Sequence, residues 1–490
     1  MNNHMARYLF AALVTILVLV PVARNFAADP PPAPAPPGPS GQAASPAVAP
    51  PAQGTFPRPA DPIVIKGEDS PKLLGATDGE LRVFAERDGK LQPIPYQMDE
   101  RNQWGEFVIV HGKRVVPDED KGKFDENDEI VFLGRDIGGK VPKNAWPSGT
   151  KAAYAVEITD PLTGAKGYAY VASYASASSA PSPSPVRYMQ YKDVGEGGLA
   201  IGQNYELGFL KSTSGLDYNH LVVKKAAGGD DVNHFDRLKV RVLLKLRRGY
   251  TLGISSEFNR NEKNFLVKYF GYKEGPVRDL RVMKNNLQLL WKLPSPGATV
   301  NSVFYPDWIE WPVPINLPVR PSWLFSRQEL DVSHDFDYPP DKGVKLFVST
   351  HPDRWFEITG KAQPDEMALN KETSEGGYYG IDATSIGAGG LFYTVRRPKS
   401  FDTKLGGVFR DDTENSGEPG FYKGDDNEPE RGWTKGATPL AGGRFVEWGN
   451  VGRGIYTVYF YHFYPPNYKP GAEKPYMEIL DHPVQVSLSE

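Results

Sequence analysis

Residues 153–172 read AYAVEITDPLTGAKGYAYVA. Two short runs, 153–158 and 167–172, are rich in Ala, Val, Ile and Tyr, and they flank a segment with Asp160, Pro161 and Gly164. Short apolar and aromatic runs bounded by Gly, Pro and Asp are typical of antiparallel strands rather than of βαβ units. The same pattern predicts four earlier strands, at Ile63–Lys66, Leu81–Glu86, Glu106–Val110 and Glu129–Leu133.

The β pattern resumes after Val186 and continues to the end of the chain. Its clearest runs are Lys239–Leu246, Phe265–Phe270, Val344–Thr350, Gly390–Arg396, Arg444–Trp448, Ile455–Tyr461 and Val484–Leu488. The 50 Gly, 45 Pro and 12% aromatic residues suit many twisted strands joined by turns. We therefore predict an all-β fold of antiparallel β-sandwich domains, with a small N-terminal sandwich and a large curved C-terminal sandwich or two abutting ones.

The first residues resemble an export signal. Arg7 precedes an apolar run from Tyr8 to Val20, and Pro21 and small residues up to Ala28 follow. A short basic start, an apolar stretch of about 7–15 residues and a small-residue exit are typical of a secretory signal peptide. The alternative is an uncut anchor, but a spanning helix needs about 20 apolar residues. We predict a signal peptide over residues 1–27, cut near Ala27.

Two stretches rich in proline or serine mark predicted domain boundaries in the rest of the chain. Thirteen prolines lie among the 33 residues from Pro30 to Pro62, a composition that favours an extended, solvated chain. A second low-complexity stretch, ASASSAPSPSP, covers residues 175–185. The predicted domains are a tether over 28–62, an N-terminal β-sandwich over 63–174, a linker over 175–186 and a large β domain over 187–490.

Charge and cysteine content bound the function. The chain has no cysteine, which excludes disulfides, a thiolate metal site and a lipid-modified cysteine at the signal cut. The formal charge of −4 becomes −6 when Arg7 and Arg24 leave with the signal. An acidic body without a long basic run does not suit nucleic acid. These features predict a bacterial protein released to the periplasm or secreted, with no transmembrane segment in the mature chain.

An acidic segment between two predicted strands is the candidate metal site. Its carboxylates are Asp118, Asp120, Asp125, Asp128 and Glu129, with Gly122 among them. Closely spaced oxygen ligands around a glycine turn suit Ca²⁺, which needs six to eight oxygens. Lys121 precedes the glycine and one ligand position is missing, so a solvated acidic hairpin turn is the alternative.

The pairing of PIPYQMDE (93–100) with FDENDEIVFLGRD (124–136) resembles a β-sandwich module of secreted bacterial proteins. Some of those proteins are associated with rhamnogalacturonan-type polysaccharide lyases, and many have no known function. The resemblance covers Leu91–Asp136 and implies a β module in an exported protein, with a carbohydrate context. It carries over no catalytic residue, and this chain lacks the family's DGD triplet.

No complete catalytic motif is present, since GxSxG, HExxH and Walker-type sequences are all missing. The candidate catalytic residues are Tyr218, His220 and Arg241. A lyase pairs a proton-abstracting Tyr or His with a cation that neutralises the substrate carboxylate, but an ordinary edge strand explains these residues as well. His334, beside Asp331 and Asp335, has the setting of an acid–base histidine, and a turn histidine is the simpler interpretation.

Two further features of the sequence are a second acidic cluster and a group of tryptophans. A second acidic cluster, at Asp411, Asp412, Glu414, Asp425, Asp426, Glu428 and Glu430, is typical of an exposed loop. Tryptophans such as Trp308, Trp311 and Trp323 are either core residues or an exposed platform for a sugar or a protein.

The function that these patterns favour is binding of a glycan or a cell-surface protein, or a structural role, without catalysis and with structural Ca²⁺. The alternative is a carbohydrate-active enzyme, a polysaccharide lyase or glycoside hydrolase, with its cleft on the C-terminal domain.

Overall fold

The computed structural model describes residues 56–490, apart from 115, 117, 119, 121, 195–196, 210–217, 248–256, 291–292, 296, 352, 362, 370–371, 375 and 412–437. The signal peptide and most of the tether therefore lie outside the described residues. The described residues belong to one compact unit, Pro51–Glu490. They form mainly β-strands, numbered β1 to β29 in chain order, and three short helices: α1 (Pro321–Leu324), α2 (Pro364–Leu369) and α3 (Lys474–Asp481).

Two sheets enclose a small apolar core. The first has the strand order β1 (Pro62–Lys66), β6 (Glu129–Leu133), β4 (Gln97–Asp99). The second has the order β29 (Gln485–Ser489), β7 (Thr150–Thr159), β8 (Lys166–Tyr174), β2 (Leu81–Arg87), β3 (Lys90–Pro93). Ile130 and Phe132 from the first sheet share one core cluster with Val156 and Val171 from the second. We call this cluster the small core.

Three further sheets make up the larger part. A six-stranded sheet has the order β14 (Glu257–Arg260), β13 (Phe235–Leu246), β20 (Phe325–Tyr338), β27 (Thr438–Val446), β26 (Lys404–Arg410), β23 (Thr373–Ser374). An eleven-stranded sheet has the order β22 (Trp355–Glu357), β21 (Lys345–Val348), β24 (Tyr378–Asp382), β25 (Gly390–Arg396), β28 (Gly454–Phe463), β19 (Trp308–Leu317), β18 (Ala298–Phe304), β16 (Asp279–Leu290), β15 (Phe265–Lys273), β5 (His111–Gly112), and β17 (Leu293–Pro294) pairs with β16. A four-stranded sheet has the order β12 (His220–Val223), β11 (Tyr205–Phe209), β10 (Gly198–Ile201), β9 (Gln190–Asp193).

The six- and eleven-stranded sheets pack face to face. Val240 and Val242 of β13 share a core cluster with Trp311 of β19 and Tyr393 of β25. Successive strand residues point to opposite faces, so β13 directs Val240 and Val242 inward and Arg241 to its other face. We call this cluster the large core. All the recorded strand pairs in these sheets are antiparallel, for example β13 with β20 and β19 with β28. The predicted all-β antiparallel sandwich fold is confirmed.

Strand β6 joins two layers of the molecule. Ile130 and Phe132 enter the small core, whereas Val131 and Leu133 pack in a cluster with Phe270 and Trp308 of the eleven-stranded sheet. Because both faces are covered, all five residues of β6 are buried. A continuous apolar run is what a strand buried on both faces requires.

Strand pairing crosses the predicted domain boundary at two places. β29, from the end of the chain, pairs with β7, and β5 pairs with β15. The domain limits themselves stay a prediction. The predicted strand Glu106–Val110 is wrong, because Phe107 and Ile109 form only isolated bridges while their side chains pack in a core cluster.

Candidate functional site

A cleft of about 120 Å³ lies between the six-stranded and eleven-stranded sheets and is partly open to solvent. Strands β26 and β27 line it with backbone at Gly407 and Gly443, and strands β24 and β25 line it with Tyr379 and Tyr393. A Cβ atom added at Gly443 would meet no atom within 4 Å, so this position faces open space. Glycine inside a strand often marks a place where a ligand approaches the backbone closely.

The wall formed by the tyrosines is backed by a buried histidine. The Tyr379 hydroxyl lies 2.8 Å from Nδ1 of His334, and the Tyr393 ring stacks on the His334 ring with centroids 4.0 Å apart. His334 is 2% exposed, and burial lowers its pKa to about 3. The imidazole is therefore neutral at physiological pH, and it supports the two tyrosines as a packed, uncharged ring.

The large core behind the cleft contains polar atoms without partners. Among the described residues they include Nε2 of His334, Nδ1 of His462, Nε1 of Trp311 and the hydroxyl of Tyr393. Within the same part of the chain, the hydroxyls of Tyr218 and Tyr464 have only each other as partners. Their rings are in contact, for example Trp311 with His462 at 4.7 Å between centroids and Tyr393 with His462 at 4.4 Å. A buried polar group without a hydrogen bond costs about 1–3 kcal/mol. The interior next to the cleft therefore contains polar atoms, and the described residues do not provide hydrogen-bond partners for all of them.

The interpretation of His334 as a turn histidine is wrong. It lies within β20, where the alternation of side chains directs His334 and Phe336 into the large core. The neighbouring carboxylates belong to ion pairs, Asp335 with Lys239 at 2.6 Å and Asp331 with Arg444 at 2.9 Å. Neither carboxylate is placed to tune the imidazole as an acid–base group.

The three candidate catalytic residues lie in different surroundings. Tyr218 is 2% exposed and contacts Trp311 edge to face at 4.9 Å. His220 has Nε2 3.9 Å from a carboxylate oxygen of Glu206. Arg241 is buried and forms an ion pair with Glu262. The structure does not bring the three side chains together in one cleft.

The acidic segment brings three carboxylates together. Glu100, Asp118 and Asp120 each offer an oxygen, and these oxygens lie within 4.8 Å of one another. Gly122 has φ +81° and its N–H donates to Asp118 at 3.3 Å, which folds the loop back on itself. Oε1 of Glu100 and Oδ1 of Asp120 are buried and accept no hydrogen bond. Burial and the adjacent Asp118 raise the pKa of Asp120 to about 7.

The remaining predicted metal ligands have protein partners. Asp128 accepts the Arg101 N–H at 2.7 Å and the Asp125 N–H at 2.9 Å, and burial raises its pKa to about 7. Glu129 forms ion pairs with Arg101 at 2.7 Å and with Arg278 at 2.6 Å. Burial would raise the pKa of Glu129, but the two arginines outweigh it and lower the pKa. Glu100 is therefore a candidate ligand that sequence spacing missed.

Of the second acidic cluster, Asp411 is buried and accepts the N–H groups of Thr359 and Gly360. The other members, Asp412, Glu414, Asp425, Asp426, Glu428 and Glu430, lie outside the described residues. Trp308 and Trp311 are core residues, whereas Trp323 is 63% exposed.

No family model and no curated protein matches the chain. Among solved structures, the chain is similar to an α-mannosidase from Enterococcus faecalis V583, with 7% identity over 88% of this chain and 44% of that one, at a TM-score of 0.40. It is also similar to a protein of glycosyl hydrolase family 38 from Enterococcus faecalis, with 6% identity over 89% of this chain and 46% of that one, at a TM-score of 0.42. The chain thus spans less than half the length of these structures, and a likeness at this level carries no argument about activity.

Within the part of the chain that the structure describes, no helix has the length and apolar character to cross a bilayer.

The cleft residues were missed because they match no motif. One signal was present, since the runs KLGGVFR (404–410) and TPLAGGRFV (438–446) each carry a glycine pair inside a strand. Paired glycines inside strands indicate close approach by another group, and the structure places Gly407 opposite Gly443 in the β26–β27 pair.

Proposed function

We propose that the protein is a non-catalytic binding protein whose cleft takes one unit of a neutral glycan. The observation that carries the proposal is the cleft's lining, with Tyr379 and Tyr393 on one side and the bare backbone of Gly407 and Gly443 on the other. A sugar has apolar C–H faces and hydroxyl edges, so aromatic rings with polar neighbours suit it. Ligand pockets are commonly about 300–1,000 Å³, and the smaller volume here, about 120 Å³, suits a single ring inserted from a longer chain.

The charges of the lining favour a neutral sugar. The described residues that line the cleft include no Lys or Arg, which an acidic polysaccharide would require to neutralise its carboxylates. Glu372 is the one carboxylate among them, and it contacts His351 at 2.5 Å. Glycoside hydrolysis ordinarily uses a pair of carboxylates. The lining therefore supports binding over the alternative of a lyase or hydrolase.

The test is a substitution that fills the cleft. Gly443→Leu places a side chain in the open space of the cleft without a strained backbone, since Gly443 is not among the positive-φ residues. We expect the wild-type protein to bind neutral oligosaccharides on a glycan array and Gly443→Leu to lose at least about tenfold in affinity by calorimetry, about 1.4 kcal/mol.

The matched control is Ser487→Leu, which adds the same side chain at an exposed position of β29. It should bind as the wild type does. Equal binding by Gly443→Leu would contradict the proposed site, and binding restricted to uronate-containing glycans would contradict the neutral ligand. New absorbance from unsaturated uronate products would instead establish the lyase alternative.

We propose in addition that Glu100, Asp118 and Asp120 bind Ca²⁺. Support comes from their convergence within 4.8 Å and from the two buried oxygens that accept no hydrogen bond. Ca²⁺ should raise the melting temperature relative to EGTA, and Asp118→Asn should reduce this rise. Glu126→Gln, an exposed carboxylate of the same loop, is the control and should keep it. An equal melting temperature in Ca²⁺ and EGTA would contradict the metal site.

We also propose that the chain is exported through the predicted signal at residues 1–27. Amino-terminal sequencing of the mature protein from extracytoplasmic fractions should begin near Ala28. A start at Met1 in those fractions would contradict cleavage.

A further inference from the structure

Arg281 is a fully buried cation without a carboxylate. It lies in β16, is 0% exposed, and is the largest of the fully buried side chains. Its Nη1 contacts the sulfur of Met283 at 3.0 Å, whereas Nε and Nη2 have no hydrogen-bond partner. Its guanidinium carbon lies 3.6 Å from the centre of the Phe209 ring and 4.9 Å from that of Tyr269.

The other buried arginines among the described residues all have oxygen partners. Arg58, Arg135, Arg237, Arg241 and Arg278 each form an ion pair with Asp or Glu. Arg82 donates to the carbonyl oxygens of Gly79, Leu81 and Pro181. Arg281 differs from all six because it has no carboxylate or carbonyl partner within the described residues: its contacts are aromatic rings, a thioether and the Tyr191 hydroxyl.

Aromatic contacts do not offset this burial. An arginine side chain does not lose its proton in a protein, so Arg281 stays charged. Cation–π contacts recover only a small part of the free energy that transfer of an isolated charge into a low-dielectric interior costs. A buried charge is therefore paired or coordinated, and a negative group is needed near Nε and Nη2.

Three buried hydroxyl groups lie near the same guanidinium. The Tyr191 and Tyr269 hydroxyls interact with each other, and Tyr191 also interacts with Arg281; among the described residues neither hydroxyl has a hydrogen-bond partner outside this group. Burial raises the pKa of both phenols and the Arg281 charge lowers it, which places both hydroxyls in the field of the cation. Ser302 is opposite Arg281 in the β16–β18 register and is also buried, with an unpartnered Oγ. Directly paired residues of antiparallel strands share a face.

Asp279 lies two residues before Arg281 in β16, so the two side chains share a face of the strand. The charge of Asp193 in β9 also acts on both phenols. Oδ1 of Asp279 accepts the Gly275 N–H at 3.1 Å and its Oδ2 has no partner. Burial raises the pKa of Asp279 well above its ordinary value. Within the described residues, neither carboxylate oxygen of Asp279 is paired with Arg281.

We propose that Arg281, with the hydroxyls of Tyr191, Tyr269 and Ser302, binds a small inorganic monovalent anion of about the size of chloride. The N–H of Nε, the two N–H bonds of Nη2 and the three O–H groups can all donate, which is the complement of a spherical anion. The site lies between the eleven-stranded sheet and the four-stranded sheet, where β16 faces Phe209 of β11 and Tyr191 of β9.

The test compares thermal unfolding of the full chain in sodium chloride and in sodium gluconate at equal ionic strength and pH. A ligand that binds only the folded state stabilises it by RT ln(1 + [L]/Kd), so the melting temperature should rise with chloride concentration. Bromide should substitute for chloride and give an anomalous diffraction peak beside Arg281. Arg281→Met should lose the chloride-dependent rise.

Arg327→Met is the matched control, because Arg327 is exposed and pairs with Glu329, and it should keep the rise. If Arg281→Met does not fold, the double variant Tyr191→Phe, Tyr269→Phe keeps the cation and removes two donors, and it should weaken the chloride response several-fold. An identical melting temperature in chloride and gluconate, or an unchanged response in Arg281→Met, would overturn the proposal.

Discussion

The small core and the large core differ in how their buried tyrosine hydroxyls are hydrogen bonded. In the small core, both buried tyrosines are hydrogen bonded within the chain: the Tyr96 hydroxyl donates to the Leu81 carbonyl at 2.6 Å, and the Tyr154 hydroxyl accepts the Lys72 N–H at 3.2 Å. In the large core, Tyr205 donates to the Tyr305 carbonyl at 2.8 Å and Tyr218 interacts with Tyr464, but the Tyr393 hydroxyl has no hydrogen-bond partner among the described residues.

The two cores therefore differ in how completely the chain itself provides hydrogen bonds for their buried polar groups. A self-satisfied core contributes stability and needs nothing from outside the chain. A core with unpartnered imidazole, indole and phenol groups gives up stability unless another molecule reaches them. The cleft lies at the edge of this second core, with Tyr393 belonging to both. This is why we assign ligand binding to the large sandwich.

The largest expected difference between the cores is their response to acid. The pKa of His334 is lowered from 6.5 to about 3 by burial, so below pH 6.5 the unfolded chain takes up a proton that the folded chain does not. The free energy of unfolding therefore falls as the pH drops from 6.5 towards 3, by about 3 kcal/mol at pH 4.5 from this group. In His334→Gln, most of this loss between pH 7 and pH 4.5 should disappear in urea unfolding.

His482→Gln is the control for this experiment, because it makes the same substitution at an exposed position on the C-terminal side of α3. Carboxyls such as Asp61 and Asp136, whose pKa values burial raises to about 6, act in the opposite direction. They are common to all three proteins and cancel in the difference. The same acid sensitivity in His334→Gln as in the wild type would show that His334 is not buried in a neutral form.

A smaller effect compares hydroxyl groups directly. Tyr154→Phe removes a hydrogen bond of the small core and should lower the free energy of unfolding by about 1 kcal/mol. Tyr393→Phe removes a buried hydroxyl that has no partner in the described part of the chain, so in the absence of ligand it should raise the free energy of unfolding by about 1 kcal/mol. Equal losses in the two variants, measured by urea unfolding at pH 7, would remove the distinction between the cores.

Sequence reasoning reached the fold more easily than the site, for a physical reason. Strand runs such as Glu129–Leu133 and Ile455–Tyr461 are rich in apolar and aromatic residues and are bounded by turn residues, so the local sequence is enough to predict them. Glu106–Val110 shows the limit, since burial of Phe107 and Ile109 does not require a ladder. The cleft is lined by Tyr379 from one sheet and Gly443 from another, and no local sequence pattern predicts that two such distant residues lie close together.

The acidic segment and the arginines illustrate the same limit. The sequence shows Asp118 and Asp120 as neighbours, but Glu100 reaches them from another part of the chain, and Glu129 is taken up by Arg101 and Arg278. The sequence alone suggests Arg241 as a cation near Tyr218. The structure pairs Arg241 with Glu262, and this pairing depends on the face of β13 on which Arg241 lies, which the sequence does not give.

The pairing of β29 with β7 sets an order for folding. The sheet that holds Thr150–Thr159 acquires its edge strand only when Gln485–Ser489 has been synthesised. Contacts between residues so distant in sequence slow folding, because the intervening chain must be ordered before they form. During synthesis the edge of β7 therefore stays unpaired while the whole large sandwich is made. Until β29 pairs with it, such an edge is a site where another chain can add a strand.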